Sequence, residues 1–300
     1  MSARDMKEKR TRLPAFVKNS CRSRSEVHVI KARLRKARLH TVCESARCPN
    51  IVECFSRPTA AFMVLGSCCN RGCRFCAVEG GTPEPPDPCE PEEVALASKE
   101  LGLRHVVVTS VTRDDLADGG AGHFAEVVRQ LRRHLPGAKV ELLVPDFQGD
   151  EGGLQTVMEA GPDILNHNLE TVPRLYPEVR PRADYKRSLQ LLGRAAVMKK
   201  DVATKSGLMV GLGEEKGEVR AVLRDLAGAG CRIVTIGQYL QPQKDKLAVV
   251  RYLDPNEYLE FEKEGSRLGL KVFAGPLVRS SYLADRIFDE LEDNETAKEG

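Results

Sequence analysis

From Ala60 onward the chain alternates short apolar runs with longer amphipathic ones. The runs 60–65, 105–110, 139–144, 164–169, 205–210 and 233–237 are largely aliphatic and bounded by glycine or polar residues, the pattern of strands buried on both faces. Between them, segments 92–101, 121–135, 154–159, 185–198 and 215–229 carry apolar residues at helical spacing. A last helix over 255–268 leads to an apolar stretch at 271–274. Ahead of the first strand, Ser25 caps a helix over 26–39 with Val27, Ile30 and Leu34 on one face. Six strands alternating with helices predict parallel βα units, either closing as a barrel or opening as a doubly wound sheet. Polar residues and glycines gather just past the strands, at Thr109-Ser110, Pro145-Asp146, Asn166-His167-Asn168, Gly211-Leu212-Gly213 and Gln238-Tyr239. That is the edge at which barrel enzymes bind ligands.

A composition of 41% hydrophobic and 30% charged residues is that of a globular protein with its own core. No stretch approaches the ~20 apolar residues of a membrane span, and the first residues lack the apolar segment of a secretory signal. A cytoplasmic setting is therefore expected. Net charge is only +3, but residues 1–40 hold 13 Lys and Arg against 3 Asp and Glu. This basic arm reads as a solvated face or as a dock for an acidic protein partner. No nucleic-acid motif accompanies it, and aromatics are 5% of the chain.

Ten cysteines sharpen the picture, seven of them between Cys43 and Cys76. Six form two triplets, Cys43-x4-Cys48-x5-Cys54 and Cys69-x3-Cys73-x2-Cys76. In a long chain without a secretory signal, thiols are expected rather than disulfides. Three thiolates at short spacing can grip three irons of a [4Fe–4S] cube and leave the fourth open. Zinc would take a fourth Cys or His at CxxC-type spacing; Cys68 and Cys89 stand nearby, but the x3/x2 pattern suits zinc poorly. By its spacing alone, the first triplet is either a metal site or a set of thiols in a loop. Cys21, Cys68, Cys89 and Cys231 read as ordinary packed or surface thiols, and His167 as a packed histidine. Gly211-Leu212-Gly213 invites a dinucleotide reading, but the next glycine is Gly217 and the GxGxxG pattern fails.

With a strand before it and Phe75 ahead of its last cysteine, the second triplet resembles that of the radical S-adenosylmethionine superfamily. The segment 41–54 is similar to the lipoyl synthase family. So are Thr109–Leu116 with Asp118-Gly119-Gly120, then Val144–Phe147, Asn166–Thr171, Val179-Arg180-Pro181, Thr204–Glu214, Gly237–Pro242 and Arg279-Ser280-Ser281-Tyr282. The resemblance covers roughly residues 13–285. It implies a partial (β/α)6 TIM-like barrel over 59–276, an N-terminal extension over 1–58 carrying an auxiliary cluster, and a tail over 277–300. It implies two [4Fe–4S] clusters and S-adenosylmethionine: one cluster on Cys69, Cys73 and Cys76, the other on Cys43, Cys48 and Cys54 with a serine of the tail. That serine is Ser281 in first place and Ser280 in second, with Arg279 beside it. Thr109, Asn168, Glu170, Lys205 and Gly211 become candidate S-adenosylmethionine contacts, each also readable as a satisfied strand-end residue. The implied reaction inserts two sulfur atoms, at C6 and C8 of an octanoyl-lysine. The implied partners are an octanoylated lipoyl domain or glycine-cleavage H protein and a reductant such as flavodoxin or ferredoxin. Ser67, Cys68, Ala77, Phe16 and Phe55 depart from the usual family pattern without removing a ligand.

Overall fold

The computed structural model describes residues 14, 28, 30–32, 34, 35, 37, 39–55, 60–281 and 284. Phe16, Cys21, the Ser25 cap, most of the basic arm and Tyr282 lie outside the described residues.

One eight-stranded sheet forms the scaffold. Its strands are β1 (His40–Thr41), β2 (Ala60–Val64), β5 (His105–Ser110), β6 (Lys139–Leu143), β7 (Ile164–Asn166), β8 (Ala203–Val210), β9 (Ile233–Gln238) and β10 (Lys271–Gly275), hydrogen-bonded in that order. The pair β3 (Cys68–Cys69) and β4 (Glu79–Gly80) stands apart as a small second sheet. From β2 onward every neighbouring pair in the large sheet is parallel. Two strands exceed the six expected. The stretch at 271–274 is a seventh parallel strand, paired to β9, and His40–Thr41 adds an antiparallel edge on β2. A two-residue strand has no periodicity to read, so only its pairing reveals it. The chain thus has the partial-barrel α/β architecture, with β1 and β10 at the two ends of the sheet order.

The helices fall close to the predicted spans: α3 (Glu90–Glu100), α4 (Ala121–His134), α5 (Glu151–Glu159), α7 (Tyr185–Met198), α8 (Lys216–Gly228) and α9 (Pro255–Arg267). Their starts follow from capping chemistry. Asp184 accepts from the Arg187 N–H at the head of α7. Asp254 and Glu257 form a reciprocal capping box around Pro255 at the head of α9. Helical faces are buried on the sheet: Phe124, Val127 and Leu131 of α4 join Val106, Val108 and Val140, while Val222, Leu226 and Phe261 join Val234 and Ile236. The 41–54 segment is not the loop that its Cys48-Pro49-Asn50 break suggests. It folds as two short helices, α1 (Val42–Ser45) and α2 (Ile51–Phe55), with Thr41 capping the first. A further short helix, α6 (Tyr176–Val179), follows β7. Among the described residues no helix is long and apolar enough to cross a membrane.

The interior of the sheet is polar where a core would normally be aliphatic. Glu141 on β6 and Lys205 on β8 are fully buried and meet at 2.9 Å, although β7 separates their strands. Strands two apart lie about 9–10 Å from each other, so both side chains converge on the concave face. Level with them in the strand register, Ile164, Ala203 and Ile233 pack with Phe273.

Candidate active site

The chain leaves β2 through Leu65 and Gly66, both at positive φ (66° and 94°). Leucine is a poor choice for that region, and its surroundings hold it there. The Leu65 N–H donates to Glu90 Oε2 at 2.9 Å, and its carbonyl accepts from Arg113 Nη1 at 3.1 Å. His123 Nε2 lies 2.7 Å from the same Glu90 oxygen. The turn aims the chain into β3 and the second triplet. Within the triplet loop, the Cys76 N–H donates to the Cys73 carbonyl (3.2 Å) and the Val78 N–H to Cys76 Sγ (3.4 Å). Arg74 ties the loop to two further segments, through the Val179 carbonyl (3.0 Å) and the Leu247 N–H (3.1 Å). Arg71, between Cys69 and Cys73, points inward. It makes two bonds of 2.8 Å to Asp114 and another to Asp146, which Arg187 Nε also holds at 2.7 Å.

The three thiols of this loop interact. Burial pushes Cys76 up to about 12, with Cys73 and Cys69 adding to the rise. Burial also raises Cys73, and Arg180 opposes it by charge and hydrogen bonding. Arg180, itself buried, donates to the carbonyls of Asn168 (2.9 Å) and Leu169 (3.1 Å). Glu170 is held at φ 66°, and burial raises its carboxyl against the pull of Arg180.

The first triplet is built by the turn between α1 and α2. The Cys48 N–H donates to the Cys43 carbonyl (3.0 Å), and the Cys54 N–H to the Asn50 carbonyl (2.9 Å). Asn50 Nδ2 donates to the Leu277 carbonyl at 2.6 Å, which ties this turn to the tail. Burial pushes Cys43 up to about 12 and Cys48 adds to it; burial raises Cys48, and the charge of Arg279 acts against that. Arg279 in turn feels Cys48, Tyr258 and Glu170. Gly237 makes this approach possible, because a Cβ there would collide with the Val278 carbonyl oxygen.

The remaining candidates divide. Asn168 Nδ2 donates to Glu170 Oε1 at 3.1 Å at the end of β7, beside the second triplet. Gly211 sits at φ 101° past β8, where the Glu214 carboxylate accepts the N–H groups of Gly211 (2.6 Å) and Leu212 (2.9 Å). Thr109 spends its hydroxyl on the Leu143 carbonyl (2.9 Å). Lys205 lies near the start of β8, bound to Glu141, and not among the strand-end groups. Ser280 Oγ donates to Asn168 Oδ1 (2.9 Å) and accepts from Asn166 Nδ2 (2.8 Å), with Ser281 next in the same turn. His167 is packed: its Nδ1–H donates to the Val144 carbonyl at 2.8 Å, and burial lowers it to about 4. Sequence reasoning gave no role to Arg71, Arg113, Arg180 or Glu141, and placed Asn166 only among the polar groups at the ligand-binding edge. The legible signal was a charge inside an apolar strand, as with Glu141 in Lys139–Leu143.

A parallel α/β sheet carrying a Cys69-x3-Cys73-x2-Cys76 loop past its first parallel strand is the architecture of a radical S-adenosylmethionine enzyme. Residues 63–226 match the Radical SAM superfamily model, and residues 2–48 match the N-terminal domain of lipoyl synthase. The lipoyl synthase of Caldanaerobacter subterraneus subsp. tengcongensis is 55% identical over 261 residues, 87% of this chain and 92% of that one. That of Shouchella clausii is 49% identical over 300 residues, 99% of this chain and 97% of that one. Among solved structures, Streptococcus suis SuiB bound to S-adenosylmethionine superposes with TM-score 0.55 at 9% identity, over 71% of this chain and 49% of SuiB. Methylornithine synthase superposes with TM-score 0.52 at 14% identity, over 86% of this chain and 80% of that one. The chain belongs to the lipoyl synthase family of radical SAM enzymes.

Membership brings a [4Fe–4S] cluster with S-adenosylmethionine, and a second, auxiliary cluster fits. The donor sets suit such clusters: Cys69, Cys73 and Cys76 act on one another, as Cys43 and Cys48 do, and each set has an arginine beside it. Among the described residues no three His, Cys, Asp or Glu side chains gather closely enough to hold one metal ion. A cube needs no such gathering, because it takes one thiolate at each of separate irons.

Proposed function

We propose that the chain inserts sulfur at C6 and C8 of an octanoyl chain carried on a lysine of a carrier protein, with Cys69, Cys73 and Cys76 holding the cluster that binds S-adenosylmethionine. Cys43, Cys48, Cys54 and Ser281 would hold the auxiliary cluster. When bound, these groups supply a deoxyadenosyl radical for hydrogen abstraction and sulfide for carbon–sulfur bond formation. Unactivated C–H bonds give acid and base groups nothing to work on, so the protein's task is to hold, orient and exclude water.

The observation that carries this reading is how the tail is tied down. Asn50 Nδ2, in the turn of the first triplet, donates to the Leu277 carbonyl at 2.6 Å. Ser280 Oγ donates to Asn168 Oδ1 at 2.9 Å and Asn168 Nδ2 to Glu170, whose charge acts on Cys73 and Cys76 of the second triplet. Both triplets and the tail therefore share one mouth, where a substrate chain could lie between them. Arg279 would stabilise a serine alkoxide by charge-assisted hydrogen bonding. Asn168 and Arg180 hold Glu170, and Glu214 fixes the backbone at Gly211. These groups, with Thr109, face S-adenosylmethionine in this reading. Lys205 instead serves the floor of the barrel. The carrier is a lipoyl domain or the glycine-cleavage H protein, attracted by the basic arm, and the electron donor is a flavodoxin or ferredoxin.

The test is an anaerobic reaction with octanoylated carrier, S-adenosylmethionine and reductant, followed by mass spectrometry of the modified lysine. Two sulfur atoms gained on the octanoyl chain are expected. A single methylthio group, or deoxyadenosine with no change in the carrier, would contradict the reading.

A further inference from the structure

A ladder of polar side chains, whose buried lower members His105, Glu141, Lys205 and Asn166 have no part in the proposed reaction, climbs from the floor of the barrel to the tail. At its foot, Lys205 Nζ donates to both Glu141 oxygens, at 2.9 and 3.0 Å, and His105 Nε2 lies 3.4 Å from Glu141 Oε2. Glu141 Oε1 accepts from Asn166 Nδ2 at 2.7 Å. The same amide nitrogen donates to Ser280 Oγ at 2.8 Å. Ser280 Oγ donates onward to Asn168 Oδ1 at 2.9 Å, and Asn168 Nδ2 to Glu170 Oε1 at 3.1 Å.

The direction of each rung is fixed by chemistry. An ammonium only donates and a carboxylate only accepts, so Glu141 turns the Asn166 amide with its NH2 toward Ser280. Ser280 must then give its single proton to Asn168. Its proton is committed to Asn168 and one of its two lone pairs to Asn166, which makes Ser281 the less encumbered serine to offer as a ligand. The ladder also has space made for it. A Cβ on Gly207 would sit 2.7 Å from Asn168 Oδ1. Filling the floor alone would not call for a wholly buried ion pair, since apolar residues of similar volume often serve stability as well or better.

We propose that Asn166, aimed by the Glu141–Lys205 pair, is a positioning residue: it clasps Ser280 and so sets the tail to present Ser281 to the Cys43, Cys48 and Cys54 triplet. This rests on the reading of that triplet and the tail as the auxiliary cluster site. The test uses the reconstituted full-length protein and compares wild type with Asn166→Ala, Ser280→Ala and Ser280→Thr. Losing a partly buried hydrogen bond of this kind should speed amide exchange at residues 277–281 by about tenfold in both alanine variants. In Asn166→Ala the yield of lipoyl product per deoxyadenosine should fall by about tenfold as well. Ser280→Thr, which keeps the hydroxyl, should restore slow exchange. If Asn166→Ala does not fold, Ser280→Ala breaks the same contact from the tail side. Wild-type exchange and wild-type product ratio, with iron for both clusters in place, would overturn the clasp alone. Iron for only one cluster in wild type, unchanged by Cys43→Ala, would overturn the auxiliary-site reading and the clasp with it.

Discussion

Arg71 does for the cysteine loop what cysteines cannot do for themselves. Its guanidinium spans Asp114 and Asp146, past the ends of two different strands, and so pins the loop between Cys69 and Cys73 to the barrel mouth. Both Arg71 and Asp146 are almost wholly buried, at 4% and 1% exposure of their side chains. Removing one member of such a pair leaves a charge in a poorly solvated place and costs about 3–5 kcal/mol. Arg71→Met is therefore expected to lower the melting temperature and to shed iron from the second triplet before the first. Thermal unfolding and iron analysis of that variant check this; wild-type values for both would remove Arg71 from the account. At this scale the six cysteines were legible because their chemistry is written in local spacing. Arg71 stood in the same loop but could not be read, because its partners lie 43 and 75 residues further along the chain.

Among the elements, strand ends and glycines decide what approaches the site. Gly237 is the last residue but one of β9, where the tail passes, and a methyl group there would strike the Val278 carbonyl oxygen and crowd Arg279 Nη1. Gly237→Ala should displace the tail at a cost of about 1–3 kcal/mol, with sulfur insertion falling more than deoxyadenosine formation. Equal losses of the two would contradict the placing of the tail. A second consequence lies between β6 and β8. Burial pushes the Glu141 carboxyl up, but Lys205 and His105 outweigh it and bring it from 4.5 to about 2. A depressed carboxyl contributes stability that is present above its unfolded value and lost as pH falls through the folded one. The Glu141 contribution should therefore fade between about pH 4.5 and pH 2. Denaturant melts across that window should show Glu141→Gln with a flatter acid limb than wild type; parallel curves would refute the assignment. The parallel strands and long helices were legible from periodicity, as Tyr185–Met198 shows in both its bounds. The two-residue β1 and the four- and five-residue helices around Cys43 and Cys54 were not, because segments that short are formed by their tertiary contacts.

The whole molecule is a partial barrel that brings three distant stretches of chain to one mouth: α1 and α2 before the barrel, the loop after its first parallel strand, and the tail after its last. Sequence revealed the parallel βα units and the two triplets, and the family resemblance implied that the units close as a partial barrel. Sequence could not reveal that Lys205 would turn down to the floor, because that depends on which face of the curved sheet a residue takes, nor that Asn50 would tie the tail to the first triplet across 227 residues of chain. The central claim is that the two triplets hold separate clusters with separate roles. The most direct test is iron and sulfide content after anaerobic reconstitution, together with deoxyadenosine and lipoyl product, for wild type and Cys43→Ala. The account predicts about eight irons in wild type and about four in the variant, as expected for two four-iron cubes reduced to one, with deoxyadenosine still formed and no lipoyl product. About four irons in both proteins would mean that the first triplet is not a cluster site and that the sulfur comes from elsewhere.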